Sequence, residues 1–292
     1  MSGDVSLKPT VVKIKPEQLE ELRKILLDSN ESSNLATTSK YEFFRILFAG
    51  EAIVGYTSGK IVSNGPYSSA AVQNAILNLQ ARDISQITIG SDEAGKGEWL
   101  GPMTVAAVAL IPGQTAILQS RGVMDSKSLS VVRISELAKT VREIALSVDS
   151  LVISPEKFNS QIEEFRNEGK NLNDLLAWAH ARVIFGVYEI VKKRKENIKV
   201  VVDQFARTKT EQRLSRKIDL KHIELIQRPK AEDEIAVAAA SIIAREAREN
   251  WLDLASERLH VDLRELSIQE ANDHANKYLF AKTSYIDSEI RT

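Results

Sequence analysis

Apolar positions change period several times in the first third of the chain. Thr10–Ile14 (TVVKI) reads as a short strand. From Pro16, the segment PEQLEELRKILLDS carries apolar side chains at Leu19, Leu22, Ile25, Leu26 and Leu27. That spacing predicts an amphipathic helix with proline in its first turn. The polar stretch Asn30–Ser39 predicts a loop. Phe43–Phe48, Ala52–Tyr56 and Lys60–Ser63 follow, separated by Ala49-Gly50 and Ser58-Gly59. Short runs between turn residues predict a small antiparallel meander. Ser68–Gln80 predicts a second helix capped by Ser68 or Ser69, and the chain around Ala81–Ser85 predicts a linker.

From Gln86 the pattern becomes strands alternating with helices. QITIGSD, MTVAAVALI (Met103–Ile111), Ser150–Ser154 and Ile198–Asp203 predict strands. Asn173–Lys193 and Glu232–Leu259 predict long helices, the second with the Ala-rich run VAAASIIA on its core face. This alternation predicts an α/β domain. No internal repeat or low-complexity segment interrupts it.

Composition narrows the picture. The chain has 292 residues, 43% of them hydrophobic and 27% charged, an ordinary globular mixture. Lys plus Arg is 39 against 40 for Asp plus Glu, a net charge of -1. No global basic field draws nucleic acid, so such binding needs a local patch. The absence of cysteine excludes disulfides and Cys-ligated zinc. The longest apolar run, Met103–Ile111, is far short of the roughly 20 residues that span a bilayer. The N-terminal sequence lacks a basic start followed by an apolar stretch, so no secretory signal is expected. These features predict a soluble, cytoplasmic protein with no membrane partner.

The chemistry concentrates in Ile89–Pro102, IGSDEAGKGEWLGP. A strand delivers Asp92 and Glu93 to its carboxyl end, and Gly95, Gly97 and Gly101 keep the following backbone bare. Adjacent acids at a strand end suit a divalent cation, and hard oxygen ligands suit magnesium or manganese. The bland reading, a solvated acidic turn, is the more common fate of a lone Asp-Glu pair. Gly90, Gly95 and Lys96 match the start of a phosphate-cradling GxxxxGK loop. The next residue there must be Ser or Thr, and here it is Gly97, so nucleoside triphosphate binding is rejected. Asp203 ends the strand Val200–Val202, and Glu232, Asp233 and Glu234 precede the Ala-rich helix. Each has a dull explanation, a turn cap or a helix-dipole partner. Together they offer what a two-metal phosphodiester hydrolase needs.

At these residues the sequence resembles a family. SDEAGKGEWLGP with the strand MTVAAVALI resembles the first motif of type 2 and type 3 ribonucleases H. Asp125-Ser126-Lys127-Ser128-Leu129 resembles their DSK-x-L motif, and Ala236–Arg245 resembles their signature helix. NLNDLLAWAH (Asn171–His180) and VVDQFA (Val201–Ala206) look like type 3 sequence. EFFRILFAGEAIVGYTSGKIVSNG is similar to the strands of the small type 3 domain that itself resembles the TATA-box-binding protein. The resemblance implies an α/β ribonuclease H-like mixed sheet flanked by helices over residues 84–292. It implies a small α+β substrate-gripping domain over residues 1–83. It implies an endonuclease that hydrolyses the RNA strand of RNA–DNA hybrids with two Mg2+ or Mn2+ ions and leaves 5′-phosphomonoesters. By the same match Asp92, Glu93, Asp203 and Glu232 are the catalytic acids. Asp92, Glu93 and Asp203 hold metal. Gly95, Lys96 and Gly97 read ribose 2′-hydroxyls, and Lys127 lies near substrate phosphates. Asp233 competes with Glu232, because the spacer to the helix is slightly shorter than in the family. A monomer is expected.

Other residues carry two readings each. His180 stands alone on a helix, where a histidine is more often structural than catalytic. Arg245 and Arg248 share a helix face, as a backbone clamp or a solvated face. Lys192-Lys193-Arg194-Lys195 is most simply a helix end whose charge suits the dipole. Tyr56, Lys60 and Tyr67 flank turn glycines in the small domain and suit backbone contact with the hybrid; ordinary strand packing is the alternative. Gly95-Lys96-Gly97 looks like the tripeptide of type 2 enzymes, which also use a C-terminal tyrosine at the RNA–DNA junction; Tyr278 and Tyr285 are present. A type 2-like activity at single embedded ribonucleotides is therefore one rival reading, and a non-catalytic hybrid-binding protein is another.

Overall fold

The computed structural model describes residues 10–82, 86–123, 129–194, 196–203, 207–229 and 231–290. The chain divides into two compact units, Met1–Ile84 and Ser85–Thr292.

In the first unit, β1 (Thr10–Lys13) leads through a 3-10 turn at Pro16–Gln18 into α1 (Leu19–Leu27). Then come β2 (Ser32–Leu35), β3 (Glu42–Phe48), β4 (Glu51–Tyr56), β5 (Lys60–Ser63) and α2 (Pro66–Arg82). The five strands form one antiparallel sheet in the order β1-β5-β4-β3-β2. The expected meander is its centre. β2 lies inside the stretch expected to be a loop. Its sequence, SSNL, has no apolar alternation, and it forms because β3 offers an edge to pair with. α2 starts earlier than expected, at Pro66. Ser68 is therefore not the cap but lies in the first turn, its hydroxyl 3.1 Å from both the N–H and the carbonyl of Gly65. Alternate strand residues Phe44, Ile46, Ile53 and Ile61 pack beneath Leu19, Leu22, Val72 and Leu79 of the two helices.

The second unit contains β6 (Gln86–Ala94), β7 (Met103–Leu110), α3 (Pro112–Ser120), α4 (Val131–Ile144), β8 (Ser147–Ile153), α5 (Pro155–Asn167) and α6 (Leu172–Val191). It continues with β9 (Asn197–Asp203), α7 (Arg207–Ser215), β10 (Ile223–Arg228), α8 (Ile235–Leu259), α9 (Ile268–Asp273) and α10 (Thr283–Ile290). The sheet order is β10-β9-β6-β7-β8. β6 runs parallel to β9 and antiparallel to β7. Every residue of β7 is buried, because helices cover both faces of the sheet. On one face Ile87 and Ile89 pack with α6; on the other, Ala106 and Val108 pack with α8 and α4. Gly90 lets α8 lie almost on the strand, since a Cβ there would sit 2.1 Å from the Ala236 backbone. β10 was not expected: Ile223–Arg228 (IELIQR) is an edge strand with weak alternation.

The tail beyond Asn250 is packed rather than loose. Leu252, Leu263, Phe280, Ala281 and Ile286 form a cluster with Trp99 and Leu100. The segment pairs with the glycine-rich loop through Gly101 N–H to Phe280 O (2.8 Å) and Lys282 N–H to Trp99 O (2.7 Å). No helix among the described residues is long and apolar enough to cross a membrane.

Candidate active site

The parallel register places Ser91 opposite Val202, so Asp92 and Asp203 emerge at the carboxyl ends of adjacent strands. In an α/β sheet this is where chemistry gathers. The chain after β10 makes a 3-10 turn, Ala231–Asp233, before α8. The Ala231 N–H is 3.4 Å from Asp203 Oδ1, which ties that turn to the end of β9. Asp92, Glu93, Asp203 and Glu232 then line one open cavity of about 450 Å3.

Asp233 does not join them. Its exposed carboxylate is paired with Arg228, which lowers its pKa. Of the two competing acids, the geometry brings Glu232 to the cavity.

Asp92 and Glu93 are neighbours in sequence but face opposite sides of the sheet, because successive strand side chains alternate. Asp92 points toward α8 and accepts a hydrogen bond from Ser241. It is only 7% exposed. Burial, then the Glu93 charge, push its carboxyl well above the usual range, against the pull of the Ser241 bond and of the Glu93 backbone N–H. Glu93 points toward α6. Burial works to raise its carboxyl too, but His180 and Lys96 outweigh it and hold Glu93 low. His180 Nε2 lies 3.0 Å from Glu93 Oε2, and Lys96 Nζ lies 3.3 Å from Oε1.

The loop after β6 takes its shape from glycine. Gly95 has φ +76, and a Cβ there would meet the Pro102 carbonyl at 2.3 Å. Gly97 is exposed with open space around it. The Tyr285 hydroxyl donates to the Lys96 carbonyl at 2.9 Å, so the C-terminal segment touches this tripeptide directly. Tyr278 is exposed. The buried Lys282 ammonium reaches the Gly101 carbonyl at 2.5 Å. Burial, then the Arg248 charge, pull its pKa down to about 7.

Arg245 and Arg248 both line the cavity. Arg248 is not part of a solvated face. It is buried, binds Glu98, and donates to Glu249 Oε1 (2.8 Å) and the Leu100 carbonyl (3.1 Å). Lys127 and the rest of Asp125-Ser126-Lys127-Ser128 lie outside the described residues, as do Lys195, Gln204–Ala206 and Lys230. In the small unit, Tyr56 and Lys60 share the sheet face away from the helices, whereas Tyr67 stands exposed on α2, in the other layer.

Sequence reasoning did not single out Ser91 or Ser241, and it weighed His180 as structural. The available signal was period: Ser91 and Glu93 are two apart and share a strand face.

The donor set, four carboxylates beside a serine hydroxyl, suits a hard divalent cation. Among the described residues, no three acidic or histidine side chains are drawn together tightly enough to grip an ion. The acids stand around the cavity instead. Asp92 is a buried carboxyl pushed up by burial and by the Glu93 and Glu232 charges, the condition that a cation relieves.

A family model described as Ribonuclease HII matches residues 89–287. The chain is 34% identical to the ribonuclease HIII of Protochlamydia amoebophila (strain UWE25) over 268 residues, covering 88% of this chain and 85% of that protein. The solved structure of Bst-RNase HIII in complex with Mn2+ superposes with a TM-score of 0.58 over 97% of this chain and 99% of its own, at 21% identity. Aquifex aeolicus RNase H3 gives a TM-score of 0.53 over 94% and 100%, at 22% identity. At these identities the structural likeness is one of fold.

Proposed function

The chain belongs to the ribonuclease HII family, and on that footing we propose that it is a type 3 ribonuclease H, an endonuclease that hydrolyses the RNA strand of RNA–DNA hybrids. The reading is carried by one observation. Asp92 and Asp203 at adjacent strand ends, Glu93, and Glu232 before α8 surround one open cavity in which burial and the neighbouring Glu93 and Glu232 charges push the Asp92 carboxyl up. Asp92, Glu93, Asp203 and Glu232 would hold divalent cations, Mg2+ or Mn2+. Bound there, such ions supply an activated water and charge neutralisation at the scissile phosphate. The chain's own residues do the rest. Ser241 orients Asp92. The bare backbone of Gly95, Lys96 and Gly97 lies next to the acids, where amides can read a 2′-hydroxyl, the group that tells RNA from DNA. The small unit, with Tyr56 and Lys60 on its free sheet face, would grip the duplex.

A second reading of specificity, cleavage beside a single embedded ribonucleotide, is favoured by the Tyr285 hydroxyl on the Lys96 carbonyl. One assay tests both. Labelled continuous hybrid, single-ribonucleotide duplex and plain DNA duplex are incubated with Mg2+ or Mn2+. Cleavage of the continuous hybrid above the others supports type 3 specificity. Equal or faster cleavage beside the lone ribonucleotide selects the second reading. Binding of hybrid without any metal-dependent cleavage selects a non-catalytic binder.

A further inference from the structure

His180 is fully buried, and both of its ring nitrogens are engaged. The direction of each bond follows from counting hydrogens. Ser91 has one hydroxyl hydrogen. The Ala106 carbonyl can only accept, and it lies 2.8 Å from Ser91 Oγ, so it takes that hydrogen. The 2.8 Å contact between Ser91 Oγ and His180 Nδ1 is then a donation from the ring. The other nitrogen, Nε2, faces Glu93 Oε2 at 3.0 Å; a carboxylate only accepts, so Nε2 donates as well and the ring carries a hydrogen on both nitrogens. A chain of contacts thus runs from the backbone of β7, through Ser91 and His180, to one oxygen of Glu93. The remaining oxygen, Oε1, meets the Lys96 ammonium at 3.3 Å.

We propose that His180 is a positioning residue: anchored to the Ala106 carbonyl through Ser91, it fixes Glu93 Oε2 and thereby presents Oε1 to the cavity as the ligand oxygen. The inference rests on the reading of Glu93 as a cation ligand. It explains why a polar chain crosses a face otherwise filled by Ile87, Ile89, Leu176 and Val183. Buried polar groups there are costly unless fully paired, and this chain is paired at every link. A ligand carboxylate held by an outer hydrogen bond loses less freedom on binding an ion than one that swings freely. Lys96, on Oε1, stands where the ion's charge would stand.

Two near-isosteres of histidine separate positioning from mere packing. His180→Gln places an amide nitrogen near Nε2 and can still donate to Glu93. His180→Asn places one near Nδ1 and keeps only the Ser91 bond. The full chain is titrated with Mn2+ alone, free Mn2+ being read by its paramagnetic resonance signal; folding is checked by thermal melting. His180→Asn should weaken Mn2+ binding about 10- to 100-fold, the usual cost of losing an outer partner of a metal ligand, and His180→Gln should stay within about threefold of the parent. On continuous hybrid, kcat should fall for His180→Asn with KM unchanged, and His180→Gln should restore it. Equal Mn2+ affinity for both variants and the parent, with weakened binding in Glu93→Gln, overturns the positioning role while leaving the ligand reading intact. Unchanged binding in Glu93→Gln overturns the ligand reading and the inference with it. Ser91→Ala removes the far anchor with little change in volume. It decides the matter if neither histidine variant folds: a fall in Mn2+ affinity supports the inference, and parental affinity overturns it.

Discussion

The two units each build a sheet of five strands, and helices cover the two sheets differently. In the first unit the sheet is antiparallel and its helices cover one face. The other face carries Tyr56 and Lys60. In the second unit helices cover both faces of a mixed sheet, and even the eight positions of β7 are all buried. A sheet with one free face offers area, which suits backbone contact with a duplex. A sheet covered on both faces has no area to offer. It can present chemistry only where strands end, and Asp92, Asp203 and the turn at Glu232 gather there. The lesson is that helix coverage, not strand number, decides whether a sheet can offer a free face or only its strand ends.

The sharpest way to break this comparison is at the strand end. Asp92→Asn should leave the fold intact and lower kcat on continuous hybrid at least about 1,000-fold, because metal-assisted hydrolysis depends on that charge. Glu232→Gln should be nearly as severe, and Asp233→Asn should stay within about threefold of the parent, since an exposed ion pair contributes little. Steady-state rates over a Mn2+ titration rank the three. Near-normal turnover in a folded Asp92→Asn protein would remove the chemistry from the second sheet.

The next largest contrast concerns coverage itself. A Cβ at Gly90 would strike the α8 backbone at 2.1 Å, whereas one at Gly55 of β4 would strike the Phe44 ring at 2.5 Å. A backbone helix cannot step aside as a ring can. Gly90→Ala should cost about 3 kcal/mol or more and Gly55→Ala about 1 kcal/mol, in the range for overpacking. Chemical denaturation of both variants measures the difference; equal losses would mean that both sheets tolerate their helices alike.

Removing residues 1–84 tests the grip proposed for the first sheet. The second unit retains its own core, so it should fold, with kcat largely kept. KM should rise about tenfold or more, and its dependence on salt should flatten as phosphate contacts are lost. An unchanged KM with an unchanged salt slope would deny the first sheet its role.

A further contrast concerns the C-terminal segment that braces the loop. Lys282 titrates near 7 in the fold and at its ordinary value of 10.5 when unfolded. Between those values the unfolded chain holds a proton that the folded chain has lost, so this group makes stability rise with pH. Below that window the full cost of the buried charge remains. Lys282→Met should flatten the rise. Its stability relative to the parent should be greatest near pH 6 and shrink toward pH 9.5 in denaturation curves. A difference independent of pH would show that Lys282 titrates normally.

Much of this was legible in the sequence. The acids Asp92, Glu93 and Asp203 could be placed at strand ends because QITIGSD and IKVVVD are apolar runs that stop at a carboxylate. The helix behind Glu232 could be read from its Ala-rich period. Two edge strands could not. β2 (SSNL) and β10 (IELIQR) carry little pattern of their own, and they form because a neighbour offers hydrogen-bond partners.

By itself the sequence determined the local periods, and with them which residues sit near which strand or helix end. Those are properties of a few adjacent residues, set by backbone geometry. Only the tertiary structure decided what each site residue meets. It gave Asp92 and Glu93 opposite surroundings by laying α8 on one face of β6 and α6 on the other. It brought His180 to Glu93 from 87 residues away and Tyr285 to Lys96 from 189. It set Glu232 in the lining of the cavity and Asp233 against Arg228. Contacts between distant segments depend on how whole layers pack, and no local period encodes that packing.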